Sequence, residues 1–372
     1  MLPNFHTVHL ALLCAILAWA QPLVASTEFG HAENVQIEDY PTHRLISVKN
    51  IHRGSGERFQ YALIPKDQAV PNLPKGTTIV RTPVERVVIM TTTFIGFMDA
   101  LDTLDRLVGV SDKDLISHPV IRKRMETKDL TVVSNGQNLN VEDVILLQPD
   151  LILATSSGES AFDVHPQLQR AGLPVAMSSA WMEQHPLARA EWIKYIGALL
   201  GKEKLAHRVF EEIAGNYERL KGLVAELPDK PTVFCGAPYA GTWYVPGGKS
   251  YMATAIHDAG GTYAWSDDAT TGGIPLDLER VFVRSADADI WINPSWYRSM
   301  DQLVSADRRF GKFKAAENKN VFNNSSQITE SGGNNFWERG TVRADEVLSD
   351  LIKIFHPEVM ADTSFQYYEH LK

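Results

Sequence analysis

Cysteine is almost missing from this chain: Cys14 and Cys235 are the two present in 372 residues. Cys14 falls inside an apolar stretch near the N-terminus, which leaves Cys235 alone in the body of the protein. A lone cysteine makes no intramolecular disulfide and no thiolate metal cluster, so the core has to hold the fold by itself. Basic runs are missing too, and the formal net charge is -9. Phosphate backbones are bound by clustered Lys and Arg, so no nucleic-acid partner is expected. The histidines His165, His185, His207 and His257 are scattered and never stand at H-x-x-x-H spacing. Transition metals need converging N, O or S ligands, so no metal site and no cofactor is assigned. "VPGGKS" lacks the G-x-x-x-x-G-K-[ST] spacing of a phosphate loop and "GAPYAG" is not a nucleophile elbow. No catalytic residue is assigned on these grounds and no enzyme is expected.

Long hydrophobic runs are also lacking. "LALLCAILAWA" (Leu10 to Ala20) is shorter than the roughly 20 residues that span a bilayer. With the small residues of "LVAS" behind it, residues 1–26 read as a cleavable secretory signal, although the region before it has His6 and His9 and no Lys or Arg. Leu13, not a small residue, precedes Cys14, which argues against a lipoprotein cleavage site.

What is present is a globular composition, 44% hydrophobic with 8 Trp and 11 Tyr, and a length that predicts two cores. The chain also repeats itself. "NVEDVILLQPDLILATSS" (Asn140 to Ser157) returns as "DLERVFVRSADADIWINPS" (Asp277 to Ser295). Each begins with a capping residue, has Glu two positions on, then an apolar helix, then a short buried strand ending in small polar residues.

The order of elements around these repeats is α/β. "HRLISVKNI" and "RFQYALIP", joined by the glycine-containing "HRGSGE", predict a hairpin, and residues 27–81 read as an N-terminal β extension. "TIVRTPVERVVIM" reads as one buried strand entering the main fold. Alternating strands and helices then predict parallel sheets with crossover helices in an N-terminal lobe, 82–185, and a C-terminal lobe, 229–372. Residues 186–228 are helical. Leu205, Val209, Ile213, Tyr217, Leu220 and Leu227 recur at helical spacing, which predicts one long amphipathic helix over 202–227, about 39 Å in length.

"RVVIMTTTFIGFMDALDTLDRLVGVS", "NLNVEDVILLQPDLILAT", "HPLARAEWIKYIGALLG", "YVPGGKSYMATAIHDAGGTY", "LDLERVFVRSADADIWIN" and "VRADEVLSDLIKIFHPE" occur in this order from Arg86 to Glu358. Together they resemble the periplasmic substrate-binding proteins of iron-siderophore and cobalamin ABC importers. The resemblance implies two α/β lobes joined by a single long helix, a ligand held between them and a periplasmic location. It also implies delivery to an ABC importer permease dimer, with one acidic residue per lobe meeting permease arginines. The matching positions are Glu142 and Glu279. Each also sits in the first turn of a capped helix, where a carboxylate is stabilised by the helix dipole whatever else it does.

Ligands of open α/β sheets sit outside the carboxyl ends of the strands. Read so, the lining candidates are Thr92, Phe94, Ser156 and Trp181 (with Glu183 beside it) on the first lobe. The second lobe offers Tyr239, Trp243, Tyr244, Trp296, Tyr297, Arg298, Trp337 and Arg339. Trp and Tyr offer broad apolar faces to a bulky chelate or macrocycle, and Arg could pair with its carboxylates. A monomer binding a ferric siderophore or a corrinoid is therefore expected. A periplasmic sensor, or a receptor for another solute, is the alternative; a bare metal ion is less favoured.

Overall fold

The computed structural model describes residues 25–135, 138–159 and 161–372. The expected signal segment lies almost wholly outside these residues. The extension is a five-stranded sheet of β1 (Ala25–Thr27), β2 (Val35–Asp39), β3 (Arg44–Lys49), β4 (Arg58–Pro65) and β5 (Thr78–Thr82), in that spatial order. The expected hairpin is β3 against β4, antiparallel from Arg44↔Leu63 to Lys49↔Arg58. The stretch read as one strand over 78–90 is two. β5 stays in the extension, parallel to β4, and β6 (Val87–Ile89) enters the next sheet. Pro83 lies between them, and a residue without an N–H cannot continue a ladder.

The first lobe is built from β6, α1 (Thr93–Ala100), β7 (Leu107–Ser111), α2 (Pro119–Glu126), β8 (Thr131–Asn135), β9 (Asn138–Leu139), α3 (Val141–Leu146), β10 (Leu151–Ala154), α4 (His165–Arg170) and β11 (Val175–Met177). Its six-stranded sheet has the order β11-β10-β6-β7-β8-β9 and is parallel except for β9. β6, β10 and β11 are buried along their whole length, as strands covered on both faces must be. Reading the sequence missed α2 because it buries only Ile121 and so shows no apolar stripe.

Two helices follow, α5 (Pro186–Leu200) and α6 (Glu203–Val224). α5 is apolar nearly all round and packs against helices of both lobes, which makes it the centre of the molecule. It ends at Gly201, whose φ of 66° is the left-handed geometry that stops a helix. α6 turns back along it, and a Cβ at Gly197 would come within 2.5 Å of that of Ala206, so the hairpin requires glycine there. The buried stripe of α6 is Ala206, Phe210, Ile213, Tyr217, Leu220 and Val224. Leu205 and Val209, expected in it, stand at its edge.

The second lobe contains β12 (Thr232–Cys235), β13 (Pro238–Tyr239), β14 (Thr242–Pro246), α7 (Tyr251–Asp258), β15 (Thr262–Tyr263), β16 (Gly273–Leu276), α8 (Leu278–Ser285) and β17 (Ile290–Ile292). It closes with α9 (Met300–Ala306), α10 (Lys314–Glu317), β18 (Val321–Asn323), α11 (Arg339–Val342), α12 (Ala344–Phe355) and β19 (Glu369–His370). Its main sheet has the order β15-β12-β17-β18-β19, and β13, β14 and β16 form a small separate one.

Two carboxylates of α5 and the turn before it hold the extension. Glu191 accepts backbone N–H bonds from Gly30, His31 and Ala32 at 2.8, 2.7 and 2.7 Å, and pairs with Lys194 at 2.7 Å. Glu183 accepts from the N–H groups of Glu33 and Asn34 and from the Trp192 indole. Glu183 therefore anchors the extension and does not line the cleft, where the sequence had placed it.

A second anchor joins α7 to the helical pair. Asp258 accepts from Tyr217 at 2.9 Å and lies 3.0 Å from Lys221 and 3.6 Å from His185. Burial alone would raise its pKa; the bonds from His185, Lys221 and Tyr217 outweigh it and hold the carboxyl well below the ordinary range. A depressed carboxyl contributes stability above its unfolded pKa, near 4, that is lost as pH falls toward its folded value. Asp258→Asn is expected to cost about 2 kcal/mol at neutral pH, since Lys221 is partly solvated. It should also flatten the acid limb of a urea-melt series below about pH 4. An unchanged acid limb would remove Asp258 as its source.

Candidate functional site

The loops after β6 and β10 in the first lobe and after β12 and β17 in the second are the candidate walls of a site, and α5, in contact with α1 of the first lobe and with α7, α11 and α12 of the second, stands between the lobes. Residues 329–342 of the second lobe reach across to the first. Glu338 accepts from the Ser117 N–H and hydroxyl at 2.7 and 2.6 Å, and the Ser331 hydroxyl donates to the Asp114 carbonyl at 2.9 Å. Gly96 of α1 lies so near that a Cβ would stand 2.2 Å from the Glu338 carbonyl oxygen.

On the second lobe, Tyr239 and Trp296 are 67% and 53% exposed and meet edge to face at 5.9 Å. Tyr297 stands beside Trp296 at 5.5 Å and packs on Phe310. The loop carrying them leaves β17 through Asn293 and Ser295, both at positive φ, and is fixed by the Asn323 amide donating to the Ser295 and Tyr297 carbonyls. Arg298 is exposed, with one guanidinium contact to the Thr329 carbonyl at 3.4 Å. On the first lobe Trp181 is 41% exposed, and Thr92 is half-buried at the start of α1.

Other candidates lie elsewhere. Trp243 is fully buried, its indole N–H donating to the Cys235 carbonyl at 3.0 Å amid Trp291, Phe310 and Phe313. Its neighbour Tyr244 is exposed, because alternate residues of a strand face opposite ways; Trp243 and Tyr244 cannot line one surface together. Phe94 is buried in the core. Ser156 is buried with its hydroxyl on Asp163, which also accepts from the Ser157 and Gly158 N–H groups, so it shapes its loop. Arg339 makes a two-pronged bond to Glu346 at 3.0 and 2.6 Å and ties α11 to α12.

The sequence reading missed Arg189. Its guanidinium lies 3.4 Å over the Tyr251 ring and donates to the carbonyls of Trp181 at 2.5 Å and Glu183 at 3.2 Å. Burial lowers its pKa, yet an arginine stays charged. With Tyr251, Met252, Phe336 and Trp337 it lines a partly open cavity of about 40 Å³ between the central helices and the second lobe. A lone Arg in the apolar "PLARAEWIKYIGALLG" was the available signal. Ligand pockets run to roughly 300–1,000 Å³, so this cavity by itself is too small for a bulky ligand.

Glu142 and Glu279 are exposed at the second position of α3 and α8. Asn140 caps the first helix by accepting from the Asp143 N–H at 3.2 Å, and Asp277 caps the second through Arg280 at 2.8 Å. One turn beyond each acid stands an exposed aliphatic side chain, Leu146 at 78% and Val283 at 86%. Glu279 also lies 2.9 Å from Arg309. Among the described residues no group of three or more His, Cys, Asp or Glu could hold a metal ion.

Two α/β lobes with a central helix between them define the bilobal binding-protein fold, a class whose chemistry is capture and release. The chain matches the periplasmic binding protein family over residues 87–327 and belongs to that family, whose members serve ABC importers as extracytoplasmic substrate-binding proteins, not enzymes. An uncharacterized lipoprotein of Methanocaldococcus jannaschii is 28% identical over 319 residues, covering 82% of this chain and 73% of that protein. A cobalamin-binding protein of Halobacterium salinarum is 29% identical over 228 residues, 60% of this chain and 57% of that one. Among solved structures, a possible iron-binding (periplasmic solute-binding) protein of Staphylococcus epidermidis aligns with a TM-score of 0.57 at 22% identity, over 73% of this chain and 99% of that one.

Proposed function

We propose that this protein, exported by residues 1–26 and acting as a periplasmic monomer, collects a ferric siderophore or a corrinoid in the cleft and hands it to an ABC importer permease. The observation that carries the reading is the exposed pair Tyr239 and Trp296, with Tyr297 behind and Trp181 opposite, at the carboxyl ends of strands. Large aromatic faces left in water at a cleft are unusual without a ligand to cover them, and flat faces suit a chelate or macrocycle. The cobalamin-binding relative is in keeping with a corrinoid. Glu142 and Glu279, each with its aliphatic neighbour, are the contacts we assign to the permease.

The test is titration of the purified protein with ferric siderophores and with cyanocobalamin, followed by tryptophan fluorescence and visible absorption. Saturable, one-to-one quenching by one class is expected, and Trp296→Ala should weaken it about tenfold, as loss of one stacked aromatic does. A protein that responds to no member of either class would overturn the cargo assignment.

A further inference from the structure

The extension offers more than cover for the first lobe. It is locked beside the carboxyl end of β11, where the Tyr61 hydroxyl accepts from the Met177 N–H and the Ser179 hydroxyl donates to the Lys49 carbonyl, both at 2.8 Å. From that fixed point the β3–β4 turn, residues 50–57, leaves the sheet through Asn50 and Gly54, both at positive φ. The turn then touches both lobes. The His52 ring covers Gly158, in the loop after β10, so closely that a Cβ there would lie 2.8 Å from Nδ1. The Arg53 guanidinium lies on Gly272, where a Cβ would stand 1.2 Å from Nη2. Gly272 precedes β16, and its carbonyl accepts from the Gly247 N–H at 2.7 Å, a few residues before the start of α7. Gly158 thus follows the carboxyl end of β10 in the first lobe, and Gly272, just before β16, lies beside Gly247 at the carboxyl end of the antiparallel β14 in the second, so the turn bridges the two lobes.

We propose that the β3–β4 turn is a third wall of the ligand cleft, and that Arg53 binds a carboxylate or phosphate group of the ligand there. The proposal rests on the reading that the cleft holds the ligand. Arg53 is exposed, and none of the arginine ion pairs among the described residues includes it. Its planar donors are held against a bare backbone surface, and a guanidinium fork matches a carboxylate or phosphate two atoms at a time. Gly272 has an ordinary negative-φ backbone, so a methyl group added there displaces the arginine and leaves the chain path intact. That gives two independent ways to remove one contact.

The probes are ferric citrate and hemin, which carry carboxylates, and cyanocobalamin, which carries a phosphodiester. Each is titrated against the full protein and against Arg53→Ala, Arg53→Lys, Gly272→Ala and the Arg53→Ala/Gly272→Ala pair, with thermal melts alongside. The expected result, for whichever probe binds the native protein, is at least a tenfold loss with Arg53→Ala and partial retention with Arg53→Lys. Gly272→Ala should cause a loss like that of Arg53→Ala, and the pair should lose no more than either alone, because both remove the same contact. Melting temperatures should be unchanged. A probe that binds the native protein and Arg53→Ala equally well overturns the role of Arg53 and leaves the function standing. A native protein that binds none of the three overturns this proposal, since no ligand anion is then held at Arg53; the function itself falls only if the ferric siderophores fail to bind as well.

Discussion

Glu191→Ala should lower the unfolding free energy by about 3–5 kcal/mol, the range for breaking a buried ion pair by removing one partner. Glu191 has no exposed surface and Lys194 is 6% exposed, so its ammonium would be left in the interior, over the Phe210 ring at 4.6 Å with the Glu28 carbonyl at 3.1 Å. The three N–H groups of Gly30, His31 and Ala32 would lose their acceptor at the same time. Against a typical total of roughly 5–15 kcal/mol the loss is large. It should also be local first, with new protease cuts near residues 28–34 appearing before the lobes unfold in urea. Glu191→Gln, which keeps an acceptor but no charge, should fall between. Native resistance to protease in Glu191→Ala would mean that the extension is held by something else.

Reversing both acids, Glu142→Arg with Glu279→Arg, should abolish ligand uptake by cells while leaving affinity for the ligand intact. The two sites share one local design: a capped helix start, an exposed carboxylate at the second position, and an exposed aliphatic side chain four residues on, Leu146 or Val283. Charged rims set the orientation and rate of association, so like charges against permease arginines would prevent docking. The fold should survive, because an unfavourable charge at a helix start costs only about 0.3–1 kcal/mol. The Arg309 contact of Glu279 is exposed and worth little. Uptake, permease ATPase stimulation and ligand affinity would be measured together. Normal uptake by the double variant would end the docking assignment.

Much of this architecture can be read along the chain. The caps Asn140 and Asp277, the α8 helix and the buried runs of β6, β10 and β17 follow from local pattern, where neighbours in sequence are neighbours in space. The site is harder because its roles depend on distant partners. Arg339 is taken by Glu346, Ser156 by Asp163, and Glu183 by backbone groups about 150 positions earlier. Trp243 was legible and misplaced: strand alternation with Tyr244 already required one to face inward. Arg189 announced itself as a charge in an apolar helix, but only Tyr251, from the second lobe, shows what it rests on.

The clamp on Glu191 has a consequence for the order of events during synthesis. Its three donors lie 159 to 161 residues before it, so the strands made first cannot be fastened until α5 has been made. Until then Gly30, His31 and Ala32 lack this acceptor, and the extension can be held only through residues before α5, as in its contacts with β11 and Ser179. Closure over so long a separation is slow compared with the hairpin it secures. The extension, although made before α5, is therefore fastened by Glu191 only after it.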